Sequence, residues 1–196
     1  MKLYGTTTSP FVRRVRIVAA ELGVPFEMVS TATEAGMAEM KALSPVGKVP
    51  VAVIDGQVIF DSHVIIDRLI GQHGRGALGE RDRWHEANLV SAIDGALEGA
   101  IQLFYLRRDK VAVEGSPYEQ RLLDRIAAVL AWLAGQLEAD GRGFGPGLGL
   151  AEIALVIMLD WFEFRRTYPV ELFGPVNSVR QAWADRPSIL ASPPKE

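Results

Sequence analysis

Two serines stand where a hydroxyl can serve the backbone and still face a bound molecule. Ser9 precedes Pro10 and Ser62 follows Asp61, each ahead of an apolar segment of helical period. A serine at a helix start accepts one orphan backbone N–H, and proline suits the next position because its missing donor has no partner there anyway. A capping hydroxyl still keeps its own proton to donate. The triplet Asp61-Ser62-His63 is not a hydrolase triad, since neighbours at a helix start point in different directions and the chain has no Gly-x-Ser-x-Gly elbow. His63, His73 and His85 include no pair at helical i,i+4 spacing, which argues against a metal centre. The chain has no cysteine, so disulfides, thiolate metal sites and a redox cycle on the protein's own sulfur are excluded. Any thiol chemistry must come from a substrate. The alternating glycines of 141–149 are no phosphate loop, because a helix precedes them and no Lys-Ser/Thr pair follows.

Periodicity supplies the elements that must hold these serines. Residues 2–4 read as a strand, Thr6-Thr7-Thr8 as a polar turn, and the segment from Pro10 as a helix with Val12, Val15, Ala19 and Leu22 on its apolar side. Arg13, Arg14 and Arg16 crowd that helix and raise the local positive potential. Residues 26–29 give a second strand and residues 34–43 a short helix. After the loop 44–50 come residues 51–54, the turn pair Asp55-Gly56 and residues 58–60, a hairpin signal because both central residues must tolerate positive φ. Asp61-Ser62 then opens a helix carrying Val64, Ile65, Leu69 and Ile70. The order βαβ, helix, ββ, α predicts a compact mixed sheet covered by helices.

A polar, Gly-rich stretch at about 74–82 predicts a boundary between a domain of residues 1–75 and one of residues 83–196. The second domain reads as all helical. Its first helix, about 83–108, carries a band of small residues, Ala92, Gly95, Ala96, Gly99 and Ala100, suited to close approach by a neighbouring helix or by a second subunit. Asp94 lies on the apolar stripe of that helix, where a carboxylate needs a positive partner. Ser116, Pro117 and Glu119 form a capping box for the next helix, and the nearly all-apolar segment 150–162 must lie at the centre.

With 196 residues, 23% charged, 48% apolar and a net charge of −3 from interspersed acids and bases, the composition is that of a soluble globular protein without a basic stripe for nucleic acid. No run of eighteen apolar residues occurs, so no membrane span is expected. The first strand begins almost at Met1 with no leader-like segment before it, which predicts a cytoplasmic protein.

Four stretches, in order and suitably separated, resemble the soluble glutathione transferase family. They are residues 9–16 (Ser-Pro-Phe-Val-Arg-Arg-Val-Arg), residues 45–51 (Pro-Val-Gly-Lys-Val-Pro-Val), Phe60-Asp61-Ser62 and Asp185-Arg186-Pro187-Ser188. The resemblance covers nearly the whole chain. It implies a thioredoxin-like α/β N-terminal domain with an all-α C-terminal domain, a serine-type bacterial-like member, glutathione as co-substrate without a metal, and a homodimer. Ser9 would donate to the glutathione sulfur, with Thr7 or Thr8 as alternative donors. Val49 would pair through its backbone with the cysteinyl unit beside a cis Pro50. Asp61 and Ser62 would hold the γ-glutamyl end, Lys48 would add positive charge, and Asp94 would meet the α-amino nitrogen in the partner subunit's site. Phe11, Tyr105 and Trp161 would wall the second-substrate pocket.

Two positions depart from the family's pattern. Asp61 replaces the more usual Glu, and Gly149 with Glu152 replace the Ser/Thr and Asp that commonly open the central helix. The resemblance implies an enzyme that adds the glutathione thiolate to a small electrophile by conjugation, peroxide reduction or isomerisation. The alternative is a non-catalytic binding or scaffold protein of the same fold.

Overall fold

The computed structural model describes residues 1–195. Strand β1 (Lys2–Gly5) is interior to its sheet because it pairs on both sides, parallel with β2 (Glu27–Ser30) and antiparallel with β3 (Val51–Ile54). β3 pairs in turn with β4 (Gln57–Phe60), which gives the order β2-β1-β3-β4. The hairpin turn has Asp55 at φ 52° and Gly56 at φ 78°, the positive values that the Asp-Gly pair predicts. Three helices complete the α/β layer: α1 (Pro10–Glu21), α2 (Glu34–Leu43) and α3 (Ser62–His73). Tyr4 and Val51 are register partners and pack with Met40 of α2. Leu3 and Ala52, one residue along, are fully buried on the opposite face. Gly5 lets α1 approach the end of β1, since a Cβ there would stand 2.3 Å from a Val12 methyl.

The buried Tyr4 hydroxyl donates to Glu39 Oε1 at 2.6 Å. That bond, then burial and the charges of Glu39 and Glu27, pushes the Tyr4 phenol up to about 12. Tyr4 is thereby kept protonated and turned toward α2.

The chain divides into two compact units, Met1–Leu78 with Asp185–Glu196, and Gly79–Ala184. This differs from the expected assignment of all residues 83–196 to the helical part. The last segment returns to the first unit because Glu21, at the end of α1, accepts from Arg186 Nε at 2.9 Å, from Arg186 Nη2 at 2.5 Å and from the Ser188 hydroxyl. The Arg186 bonds hold the Glu21 carboxyl below its ordinary value against the effect of burial. Ile189, on the short helix that follows Arg186, is buried at 5% exposure.

The second unit comprises α4 (Arg83–Arg108), α5 (Pro117–Ala134), α6 (Leu150–Arg165) and α7 (Asn177–Trp183), with two 3-10 turns before α7. Every residue from Ala151 to Leu159 is buried, so α6 is the central helix that its composition predicts. α4 is long and apolar enough to cross a bilayer by length and composition, with a window of mean hydropathy 1.3, yet half of that window is buried inside the fold. The small-residue band on α4 divides. Ala96, Gly99 and Ala100 are buried, Gly99 against Leu122 of α5, whereas Ala92 lines an open groove with Asn88, Ser91, Arg125, Ala128, Val129 and Trp132.

The start of α6 is buried, so its orphan N–H groups need protein acceptors. Gly149 offers no side chain, and two carboxylates act instead. Glu86 Oε1 accepts the Leu150 N–H at 2.8 Å, Glu152 Oε2 accepts the Gly149 N–H at 2.9 Å, and Glu152 Oε1 accepts the Phe144 N–H at 2.6 Å. Arg81 neutralises the pair, with Nη1 2.8 Å from Glu152 and Nε 3.9 Å from Glu86, while Nη2 donates to the Gly147 carbonyl at 2.7 Å. The missing hydroxyl is therefore replaced, and the space for it is filled. A Cβ at 149 would lie 2.6 Å from Arg81 Nε and 2.7 Å from Glu86 Oε1.

Two outcomes follow from this packing. Gly149→Ser, which restores a good capping residue by type, should lower the unfolding free energy by about 1–3 kcal/mol through overpacking. Denaturant unfolding checks this, and a stabilised variant would show that the hydroxyl finds room. Tyr4 should titrate near 12 in an absorbance titration, a component that Tyr4→Phe removes. Since its folded pKa lies above the unfolded value of about 10, its contribution to stability is complete below pH ~10 and should fall as pH rises toward ~12.

Candidate active site

Strand register gathers the motifs of the first unit at one edge of the sheet. Val51 pairs with Tyr4 on one side and Phe60 on the other. Both pairings are antiparallel, so the residues just before Val51 lie beside those leaving β1 and those leaving β4. The β1–α1 loop with Ser9, the Val49-Pro50 segment and the Asp61-Ser62 pair are thereby brought together.

Ser9 is the N-cap of α1, and its Oγ accepts the Val12 N–H at 3.3 Å. Its backbone N–H donates to the Thr6 carbonyl at 3.3 Å, closing the turn. The neighbouring hydroxyls are otherwise engaged. Thr6 Oγ1 and Thr8 Oγ1 pair at 3.0 Å, and Thr7 Oγ1 donates to the Lys195 carbonyl at 2.7 Å. Since Ser9 acts as acceptor toward its helix, its own proton stays available for an anion above the first turn of α1.

The Val49–Pro50 bond is cis, as the resemblance implied. Among the described residues the Val49 backbone makes no hydrogen bond, so its N–H and C=O remain for an extended ligand to pair with. Lys48 is exposed on the same loop.

The division of labour between Asp61 and Ser62 is clear in the structure. Asp61 is the N-cap of α3, with φ 75° and ψ 135°, and its Oδ1 accepts the His63 N–H at 2.8 Å. Ser62 is the first helical residue, buried at 2% exposure, and among the described residues its hydroxyl has no partner. The backbone is thus satisfied by the carboxylate, and the serine is spared. A hydroxyl and first-turn N–H groups at a helix start suit a carboxylate ligand.

Beside this edge Arg14 is buried, with Nη1 3.4 Å from His63 Nε2 and its guanidinium 5.5 Å from the centre of the Phe11 ring. This grouping of Phe11, Arg14 and His63 escaped the sequence reading, since residues 49 apart share no local signal. No group of three or more His, Cys, Asp or Glu among the described residues could hold a metal.

The remaining predicted residues belong to the second unit. Asp94 is buried at 9% exposure and is engaged within its own chain. Tyr105 is 48% exposed with the Arg108 guanidinium 4.7 Å from its ring, whereas Trp161 is 4% exposed and set edge-on to Phe104 at 5.7 Å. Trp161 therefore packs in the core of that unit, and Phe104 stands between it and Tyr105.

Residues 3–80 match the family model described as the N-terminal domain of glutathione S-transferase. Over 174 residues the chain is 30% identical to the uncharacterised GST-like protein YibF of Escherichia coli (strain K12), a match covering 86% of this chain and 85% of that one. The chain belongs to the glutathione S-transferase family. It is also 26% identical over 201 residues to a probable maleylacetoacetate isomerase of Caenorhabditis elegans, covering 98% and 92% of the two chains. A glutathione S-transferase from Methylobacillus flagellatus, solved with glutathione bound, is similar in fold with a TM-score of 0.83 at 25% identity over 99% of each chain. The small mixed sheet followed by a helical unit is the architecture of this family.

Proposed function

We propose that this member of the glutathione S-transferase family binds glutathione along the sheet edge and uses Ser9 to stabilise its thiolate for attack on a small electrophile. The observation that carries the reading is the state of the four hydroxyls ahead of α1. Thr7 donates to the Lys195 carbonyl and Thr6 and Thr8 pair with each other, whereas Ser9 stands at the helix start itself, an acceptor from Val12 N–H that keeps its own proton to give. A cysteine-like thiol of pKa near ~8.5 is mostly protonated at neutral pH, and a shift of two units requires roughly 2.7 kcal/mol. A hydroxyl bond to a charged group supplies about 1.5–3 kcal/mol. The helix N-terminus adds about 0.3–1 kcal/mol. Together these meet the requirement without a metal or a general base.

In this reading Val49 pairs with the cysteinyl backbone, and Ser62 with the first turn of α3 receives the γ-glutamyl carboxylate. Asp61 keeps one oxygen on His63 and offers the other to the α-amino group, with Lys48 adding positive charge nearby. The thiolate then forms a bond to the electrophilic carbon, and that carbon's leaving group or π-electron pair departs. Isomerisation is the second reading, favoured by the near full-length similarity to a probable maleylacetoacetate isomerase. There the same addition is followed by expulsion of the thiolate.

We also propose a homodimer. The groove of about 460 Å³ between α4 and α5 leaves Trp132 43% exposed, and a second copy is our proposed occupant. The first unit carries exposed apolar residues, Phe60 and Val64, suited to that role.

Ser9→Ala should leave glutathione affinity within about threefold, raise the pKa of the bound thiol by about one unit or more, and lower kcat at least tenfold. An unchanged thiolate absorbance titration would reduce Ser9 to a helix cap. Ser62→Ala should raise the glutathione KM more than it lowers kcat, because it removes binding common to ground and transition states. Sedimentation equilibrium should give about twice the 21.4 kDa chain mass, and Trp132→Arg should yield a folded monomer. A wild-type monomer at micromolar concentration would exclude the assembly.

A further inference from the structure

Residues 186–195 lie along α1 in the reverse direction and reach the loop that presents Ser9. Three ties mark the course. Arg186 and Ser188 hold Glu21 at the C-terminal end of α1, Arg16 Nη2 donates to the Ala191 carbonyl at 3.3 Å, and Thr7 Oγ1 donates to the Lys195 carbonyl at 2.7 Å. The segment is seated between these ties. Ile189 is buried at 5% exposure and Ser192 at 3%, and the Ser192 hydroxyl folds back on the Ser188 carbonyl at 2.8 Å.

Within the loop the ties form a chain of dependence. The turn is closed by Ser9 N–H on the Thr6 carbonyl, its inner hydroxyls are paired as Thr6 with Thr8, and its outer hydroxyl is fixed from outside the loop by the Lys195 carbonyl. A short polar turn without such an external tie is free to rock about the end of β1. The direction in which Ser9 offers its proton would then vary, and small misplacements of a hydrogen-bond donor weaken catalysis steeply.

We infer that the C-terminal segment 186–195 is a positioning strap for the Ser9 hydroxyl, with Thr7 the residue through which it acts. The inference rests on the reading of Ser9 as the thiolate donor. Thr7 is a positioning residue and touches no substrate. Of the three threonines that precede Ser9, Thr7 spends its proton on the strap, while Thr6 and Thr8 pair with each other inside the turn.

The experiment compares Thr7→Val, which keeps the side-chain shape and removes the donor, with Thr7→Ser, which retains the donor, in the full-length enzyme with glutathione and 1-chloro-2,4-dinitrobenzene as probe electrophile. Thr7→Val should lower kcat about fivefold, leave the glutathione KM within about twofold, and raise the pKa of the bound thiol by about half a unit. Thr7→Ser should restore wild-type values. Deletion of residues 193–196 removes the accepting carbonyl and should reproduce the Thr7→Val result. In a Ser9→Ala background Thr7→Val should add no further shift in thiol pKa, because it acts through the missing hydroxyl. An unchanged kcat and thiol pKa in Thr7→Val, or an effect of full size in the Ser9→Ala background, would overturn the strap. Ser9→Ala alone separates the two ideas. If it leaves the thiol pKa unmoved, the donor reading itself fails, whereas a shift there with none in Thr7→Val overturns the strap only.

Discussion

The first turn of every helix exposes backbone N–H groups that must find acceptors, and how each start meets that demand organises this protein. At α6 the start is buried and water is excluded, so the acceptors are two buried carboxylates, Glu86 and Glu152, neutralised by Arg81. At α1 the acceptor is the Ser9 oxygen, which leaves a proton to give. At α3 it is the Asp61 carboxylate, which leaves the Ser62 hydroxyl unspent. One physical requirement thus yields a sealed structural joint in the helical unit and two polar, ligand-ready corners in the first unit. The difference lies in which group is consumed by the backbone and which remains.

Those two corners would be useless apart, and the sheet register joins them. Because β3 lies between β1 and β4, the residue Val51 is opposite both Tyr4 and Phe60, and the loops that leave the three strands meet at one edge. The cis bond before Pro50 falls between the two helix starts along that edge. The ligand expected there has a matching order of groups: a thiol for the α1 corner, an extended peptide for Val49, and a carboxylate for the α3 corner.

Electrostatics in the first unit reinforce this separation of roles. Tyr4, the aromatic hydroxyl nearest the candidate site in sequence, is committed to Glu39 on the α2 face and held protonated to about 12. At the far end of α1, Glu21 is held ionised by Arg186 and anchors the returning chain end. The two ends of one helix are therefore fixed by different means, the Ser9 hydroxyl cap at one and an ion pair at the other.

The sequence by itself determined the elements and named the residues of the candidate site. Periodicity and caps located β1, α1, the Asp-Gly hairpin and α4 closely, and the starts of α5 and α6, whose ends differ from the expected ones by three residues, because these depend on local propensity and on which face must be buried. The four family-like stretches, read with that order of elements, pointed to glutathione, and the comparisons place the chain in that family. What tertiary structure decided was every relation between distant residues. The chain end joined the first unit because Arg186 reaches Glu21, a pairing across 165 residues. Gly149 lies against the Arg81 and Glu86 side chains, which crowd the space a Cβ would take, where composition alone suggested a missing cap. The band of small residues on α4 divided into a buried part and a groove-lining part, and Trp161 went to the core. Local physics fixes what a segment can be, whereas a hydroxyl's partner, a carboxylate's counter-ion and an aromatic ring's exposure depend on which remote side chains the fold brings within reach.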